Sequence, residues 1–263
     1  MKLSDTVFIQ QGDCLELMKK IPDKHIDMIL CDLPYGTTAC KWDVIIPFDP
    51  LWEQYERIIK DNGSIVLTSN QPFTTALIFS NIKIFRYCWV WDKNKSTNFM
   101  SAKLMPLLKT EDVCVFSKST CNSMSKQKMN YYPQGVVEIN KTVSNGKNVG
   151  GKVAKDRGAV FAEGKKYNQQ FTGYPTNILS IPNDNNPLHP TQKPVALMEY
   201  LIKTYTQENE IVLDNCAGSF TTGVASINLN RKFIGYELDE KYFEIGKNRL
   251  LEAIKLHNES NIL

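Results

Sequence analysis

The chain has 263 residues, 42% hydrophobic and 22% charged, which is enough apolar material for a large α/β domain with its own core. No apolar run approaches the length of a membrane helix, and Met1-Lys2-Leu3-Ser4-Asp5-Thr6 lacks the character of a signal peptide, so a cytoplasmic protein without membrane contact is expected. The formal net charge of +3 conceals a local excess: residues 117–180 hold ten Lys/Arg against three Asp/Glu, which leaves 21 of the 31 basic and 25 of the 28 acidic residues for the rest of the chain.

Short β-type runs alternate with helical patterns on both sides of that basic stretch. Val7-Phe8-Ile9 leads to Gly12-Asp13, and Ile26-Asp27-Met28-Ile29-Leu30-Cys31 leads to Asp32. Helical periodicity covers Leu51 to Ile59, followed by a buried strand at Ser64 to Thr68 and further strands at Tyr87 to Trp91 and Val113 to Phe116. Beyond the basic stretch come a helix near Val195 to Thr204, a strand at Ile211 to Leu213 and a helix from about Thr221. A strand at Lys232 to Tyr236 and a long helix from Glu240 complete the series. Such alternation predicts a mostly parallel, doubly wound sheet. On the strand at 87–91, Trp89 and Trp91 alternate and are read as core or pocket wall. The seven cysteines hold no pair at zinc-ligand spacing, and reduced thiols with no metal site are expected.

The middle is different in kind. It is rich in Lys, Asn, Gly, Ser and Tyr, with turn signals at Asn145-Gly146, Gly150-Gly151 and Arg157-Gly158. Composition alone also allows a disordered surface insertion. Six interleaved aromatics, Tyr131, Tyr132, Phe161, Tyr167, Phe171 and Tyr174, favour some order. Cations that meet phosphates and rings that stack on bases suit a nucleic acid, and Lys141, Lys147, Lys152, Lys155 and Arg157 are the candidate contacts. The segment is read as a target-recognition insert over residues 118–186, between the two parts, 1–117 and 187–263, of a catalytic domain.

Four acids, Asp13, Asp32, Asp214 and Glu237, each follow a β-type run, and parallel strands bring such residues to one edge of the sheet. Strand-end acids also serve as helix caps, which accounts for one or two of them. Asp214-Asn215-Cys216-Ala217-Gly218-Ser219 joins a strand to a helix, and Glu237 ends the next strand. That is nearly the layout of a nucleotide-binding βαβ unit, with a glycine for close backbone approach and an acid for ribose hydroxyls. No phosphate-binding loop signature is present, so an adenosine without a polyphosphate fits best. Asp32-Leu33-Pro34-Tyr35 is the sharpest motif. A carboxylate and a backbone carbonyl that accept the two N–H bonds of a base amine favour the pyramidal nitrogen able to attack a methyl group. Proline restricts the backbone, and tyrosine offers a flat face to a base swung out of the duplex.

At this point the residues match a family. Asp32-Leu33-Pro34-Tyr35 resembles the Asp-Pro-Pro-Tyr motif of DNA amino-methyltransferases, and residues 214–223 resemble their cofactor motif, Asp-x-Phe-x-Gly-x-Gly-Thr. Catalytic motif first, basic segment second and cofactor motif last is similar to the order of the β class, as is His189-Pro190-Thr191-Gln192-Lys193-Pro194. The resemblance implies a Rossmann-like fold and methyl transfer from S-adenosylmethionine to the N6 amine of a flipped adenine in double-stranded DNA. It further implies that Asp32 and the Pro34 carbonyl hold the amine while Tyr35 stacks on the base. Asp214, Gly218, Thr191 and Lys193 would line the methionine half of the cofactor, Glu237 would take the ribose and Asp13 the adenine. Leu33, Cys216 and Phe220 depart from the family pattern. Phe220 stands at the usual second glycine, and both it and Cys216 are expected at the cofactor, Phe220 filling the space of the aromatic lost at 216. Rival readings are cytosine N4 methylation, an RNA or protein-amide substrate, and a DNA-binding module silenced by Phe220. A homodimer, a cognate restriction endonuclease and a bacterial or phage source stay open.

Overall fold

The computed structural model describes residues 1–36, 43–144, 166–183 and 192–260. Contacts divide the chain into two compact units, one of Met1–Tyr132 with Asn177–Leu263 and the other of Pro133–Thr176. The larger begins β1 (Val7–Gln11), α1 (Cys14–Met18), β2 (Ile26–Asp32), α2 (Phe48–Ile58), β3 (Ile59–Ser69), α3 (Phe73–Ser80), β4 (Phe85–Thr97) and β5 (Leu108–Phe116). The smaller holds β6 (Val137–Ser144) and β7 (Lys166–Thr172). The larger resumes with β8 (Ile178–Ser180), α4 (Val195–Tyr205), β9 (Ile211–Asp214), α5 (Thr221–Asn228), β10 (Lys232–Glu237) and α6 (Glu240–Ser260).

Eight strands form one sheet in the order β1-β10-β9-β2-β3-β5-β4-β8, in which only β5 runs antiparallel to its neighbours. The alternation of strands and helices in the sequence is realised as the expected mostly parallel sheet. β2 is buried almost throughout, as the middle strand of a sheet covered on both faces must be. Its side chains alternate between two cores: Ile29 and Cys31 pack with Leu51, Tyr55 and Ile58 of α2, while Met28 and Leu30 pack with Leu197, Leu201 and Tyr205 of α4. The order of connection reverses between β2 and β9, so the crevice at their carboxyl ends is the switch point where open α/β sheets bind ligands. No helix among the described residues is long and apolar enough to cross a membrane.

α1 and α3 carry no clear signal in the sequence. α1 has five residues, too few for a period, and in α3 apolar side chains run around the helix without a polar stripe. The Trp reading holds: Trp89 is core and Trp91 is buried at a pocket wall.

The smaller unit is an antiparallel β6–β7 ribbon pinned by two glycines in the left-handed region, Gly135 at φ +79 and Gly173 at φ +77. A Cβ on Gly173 would lie 2.5 Å from the Gly135 carbonyl oxygen, a contact only glycine permits. This unit is shorter than the expected 118–186 insert, because the flanks are tied to the larger sheet. Met129 and Leu179 enter its core, Tyr132 N–H donates to Thr204 O at 2.7 Å, and β8 pairs with β4.

Candidate active site

All four predicted acids, Asp13, Asp32, Asp214 and Glu237, border a single cavity of about 610 Å³ in the larger unit. Asp32, Asp214 and Glu237 end β2, β9 and β10, and Asp13 caps α1, its Oδ1 accepting from Leu15 N at 2.8 Å and Glu16 N at 3.2 Å.

One wall is built from the loops after β1, β9 and β10. Asp214 accepts from Cys216 N at 3.2 Å and from the Thr222 hydroxyl at 2.6 Å, neither of them charged. Burial pushes its carboxyl up to about 7 against the pull of those hydrogen bonds. Glu237 accepts from Gly218 N at 2.7 Å and Asp239 N at 2.8 Å, and burial raises it above the usual carboxylate range. Each of its oxygens keeps a second lone pair for a ligand hydroxyl. Gly218 sits at φ +51 and presents no side chain, so a ligand can approach its backbone. Cys216 lines this wall, and Asn215 Nδ2–H donates to its Sγ at 3.4 Å.

The opposite wall is charged. Asp32 Oδ1 accepts from the Tyr35 hydroxyl at 2.6 Å and from the Thr68 hydroxyl, and Oδ2 accepts from Lys193 Nζ at 2.7 Å. Lys193 also faces Glu111 Oε2 at 3.5 Å, and Lys93 Nζ reaches Glu111 Oε1 at 3.1 Å. Asp32, Lys193, Glu111 and Lys93 thus alternate in sign along a mostly buried row. Burial pulls the Lys193 ammonium down, but the charges of Asp32 and Glu111 outweigh it and hold it above its ordinary value. Burial, with Asp32 and Glu111 adding to it, lifts the Tyr35 phenol well above its usual value, so it stays a donor. Counting lone pairs, Oδ1 of Asp32 is saturated and Oδ2 retains one acceptor site.

Two of the sequence-derived site residues have partners that the sequence did not reveal, and one lies elsewhere. Lys193, expected along the methionine half of a cofactor, lines the cavity, where its ammonium binds Asp32 and faces Glu111. Tyr35, expected to lie on a target base, lines the cavity; one face of its ring stacks on Phe73, with centroids 5.0 Å apart, and its hydroxyl orients Asp32. Phe220 was expected beside the cofactor. It is fully buried on the far side of the loop, edge-on to Phe233 and Phe243 with centroids 6.2 and 6.0 Å away, and takes no part in the cavity wall. It keeps the left-handed conformation of the glycine it replaces, φ 58 and ψ 37, which costs a non-glycine residue roughly 1–2 kcal/mol. Burying its ring contributes about 1.5–3 kcal/mol and offsets that cost. Gly235 and Gly246 make the room: a Cβ on either would lie 2.6 or 2.1 Å from the Phe220 ring. The expected substitution of Phe220 for an aromatic at 216 therefore does not occur, and neither does occlusion of the cavity by Phe220.

Pro34 lines the cavity as expected. Lys141 is exposed on β6. Thr191, Lys147, Lys152, Lys155 and Arg157 lie outside the described residues. Sequence reasoning missed Thr68, Phe73, Thr222, Lys93 and Glu111. For Lys93 there was a signal: it shares the inward register of Trp89 and Trp91, where a charge is out of place unless paired. Glu111 becomes visible only through strand pairing, which sets it opposite Trp91.

A family model described as DNA methylase matches residues 26–248, which is most of the chain. The chain belongs to the DNA methylase family. It is 30% identical to the DNA adenine methyltransferase YhdJ of Escherichia coli K12, over 92% of this chain and 82% of that protein. It is 27% identical to the type II methyltransferase M2.MboI of Moraxella bovis, over 93% and 87%. In fold it is similar to M1.HpyAVI in complex with SAM, with TM-score 0.59, 24% identity and coverage of 93% of this chain and 100% of that one. It is likewise similar to the cytosine-N4-specific PvuII DNA methyltransferase, with TM-score 0.61, 17% identity and coverage of 95% and 94%. A DNA methylase of this family takes its methyl group from S-adenosylmethionine. The first wall fits that molecule on its own chemistry: acids at Glu237 and Asp13 for hydroxyls and an amine, a bare glycine for close approach, and a buried Asp214 with no cationic partner among the described residues.

Proposed function

We propose that this DNA methyltransferase acts on the N6 amine of adenine. The observation that carries the reading is Asp32: it borders the same cavity as the cofactor-type wall, and its Oδ2 keeps one acceptor site. Tyr35, Thr68 and Lys193 hold the carboxylate in place, so little reorganisation is needed when charge develops on the amine. The free site of Oδ2 accepts one N–H of the amine, draws electron density onto nitrogen and takes the proton the nitrogen sheds. The Pro34 carbonyl accepts the second N–H. Glu237, Gly218, Asp214 and Asp13 hold S-adenosylmethionine, which when bound supplies an electrophilic methyl group on a sulfonium. The name of the E. coli relative favours adenine, and the aspartate that heads the tetrapeptide agrees with it. Cytosine N4 is the second reading, favoured by the fold shared with PvuII methyltransferase. Reading of the DNA sequence falls to the basic segment, where the net charge over residues 117–180 is concentrated and Lys141 and Lys166 stand exposed on the β6–β7 ribbon.

The test is base-resolved modification mapping of DNA from cells that express the protein, beside the Asp32→Ala variant. N6-methyladenine at one short sequence is expected, with single-turnover transfer by Asp32→Ala slower by about a hundredfold or more and cofactor affinity kept. N4-methylcytosine would shift the assignment to the second reading. No modified base, or full activity of Asp32→Ala, would overturn the proposed role.

A further inference from the structure

β4 and β5 form a hairpin that outruns the sheet. Ser69, the last residue of β3, pairs with Asp112, and β8 accompanies β4 only as far as Asp92, the partner of Thr110. Leu108 and Lys109 and the β4 residues after Asp92 therefore project beyond both neighbouring strands at the carboxyl edge, by about 7 Å on β5 at the usual rise per residue. That is the edge at which the cavity opens, and Thr97, at the base of the hairpin tip, lines it. The tip is a compact turn closed by its own backbone bonds: Ser101 N–H to Asn98 O at 3.1 Å, Ala102 N–H to Phe99 O at 3.2 Å and Leu104 N–H to Ser101 O at 2.8 Å. It turns its large apolar side chains to solvent. Phe99 is 64% exposed, Leu104 89% and Met100 102%, so Met100 touches almost nothing.

Charge identifies the occupant. Between Lys93 and Thr110 there are four lysines and no acid. Lys93 and Lys109 are paired with Glu111 and Asp92, which leaves Lys95 and Lys103 exposed beside the apolar tip. A two-fold contact with another copy would set these like charges near one another. A duplex instead offers phosphates to the lysines and a stacked, apolar interior to Phe99, Met100 and Leu104. On the reading above, the target base must leave the stack to reach Asp32, which opens a gap. We propose that the β4–β5 tip is the wedge that fills this gap, with Phe99, Met100 and Leu104 inserted in place of the extruded base. This rests on the DNA-amine methyltransferase reading and adds to it the surface that keeps the duplex open.

The experiment compares wild type with Phe99→Ser/Met100→Ser/Leu104→Ser and with Met100→Ser alone, a position whose exposure spares the fold. Single-turnover methylation is measured on a duplex carrying the mapped site, and on the same duplex with the target base mispaired and already unstacked. The triple variant should be at least tenfold slower on the paired duplex and within about twofold of wild type on the mispaired one, with Met100→Ser intermediate. Sedimentation of free protein should not change. Equal loss on both substrates, no loss on either, or conversion of a wild-type dimer to monomer would overturn the wedge, the last in favour of a second copy as occupant. A wild type inactive on both duplexes would overturn the methyltransferase reading, and the wedge with it.

Discussion

The two walls of the cavity hold their acids in opposite ways. On the wall formed after β1, β9 and β10, Asp13, Asp214 and Glu237 accept only from backbone amides and hydroxyls, and two of the three have carboxyls raised by burial. Across the cavity, Asp32 and Glu111 share Lys193, and Glu111 also holds Lys93. The difference separates binding from positioning. A wall whose acids are ion-paired to no cation among the described residues is stabilised when a ligand brings positive charge and hydroxyls. A wall that neutralises itself needs no ligand to be stable and can keep one carboxylate in a single orientation.

The largest effect that would break this contrast is removal of the shared cation. Lys193→Met leaves Asp32 and Glu111 facing each other in a buried place, and loss of one partner of such a pair costs about 3–5 kcal/mol. Thermal and urea unfolding should show it, and Glu111→Gln in the same chain should recover part. A loss below about 1 kcal/mol, typical of an exposed pair, would mean that water screens the row and that the walls do not differ as described.

Of similar size is the effect of Phe220, which stands behind the Gly218 loop and is not among the residues that line the cavity. Phe220→Ala should cost about 3–5 kcal/mol through the space it leaves. Phe220→Gly leaves the same space but releases the left-handed strain, so it should be more stable than the alanine variant by about 1 kcal/mol. Cofactor affinity, read by calorimetry at a temperature where both are folded, should not change. Tighter binding in Phe220→Gly would return Phe220 to the cofactor site.

A third effect sharpens the contrast through pH. The Asp214 carboxyl lies near 7 in the folded chain, above its unfolded value of 3.8. A raised carboxyl contributes stability that is whole below about pH 4 and lost as pH rises through about 7. The ligand-free protein should therefore lose stability over that window relative to Asp214→Asn, which lacks this titration. Affinity for S-adenosylmethionine, with its ammonium group, should rise with pH by at most about tenfold per unit and level off above about 7. Affinity flat from pH 5 to 8 would show that Asp214 does not meet the ligand's charge.

The fold and the cavity's acids were legible in the sequence because they depend on local pattern. Apolar runs of strand length, each followed by an acid or a loop glycine, predicted both the parallel sheet and the gathering of Asp13, Asp32, Asp214 and Glu237 at one edge. Short or evenly apolar helices such as α1 and α3 escaped because they carry no period. What those acids bond to was a different matter. That Lys193 would choose Asp32, that Glu111 would complete the row and that Tyr35 would rest on Phe73 depended on which strands pair and in what register. Phe220 shows the same division. The sequence marked it as a misfit in a glycine's place, and only the packing of Phe233 and Phe243, with Gly235 and Gly246 making room, decided that its ring turns into the core. Pattern within a segment reports which face of an element is buried; the partner across that face is set by segments far away in the chain, and no single stretch of sequence contains it.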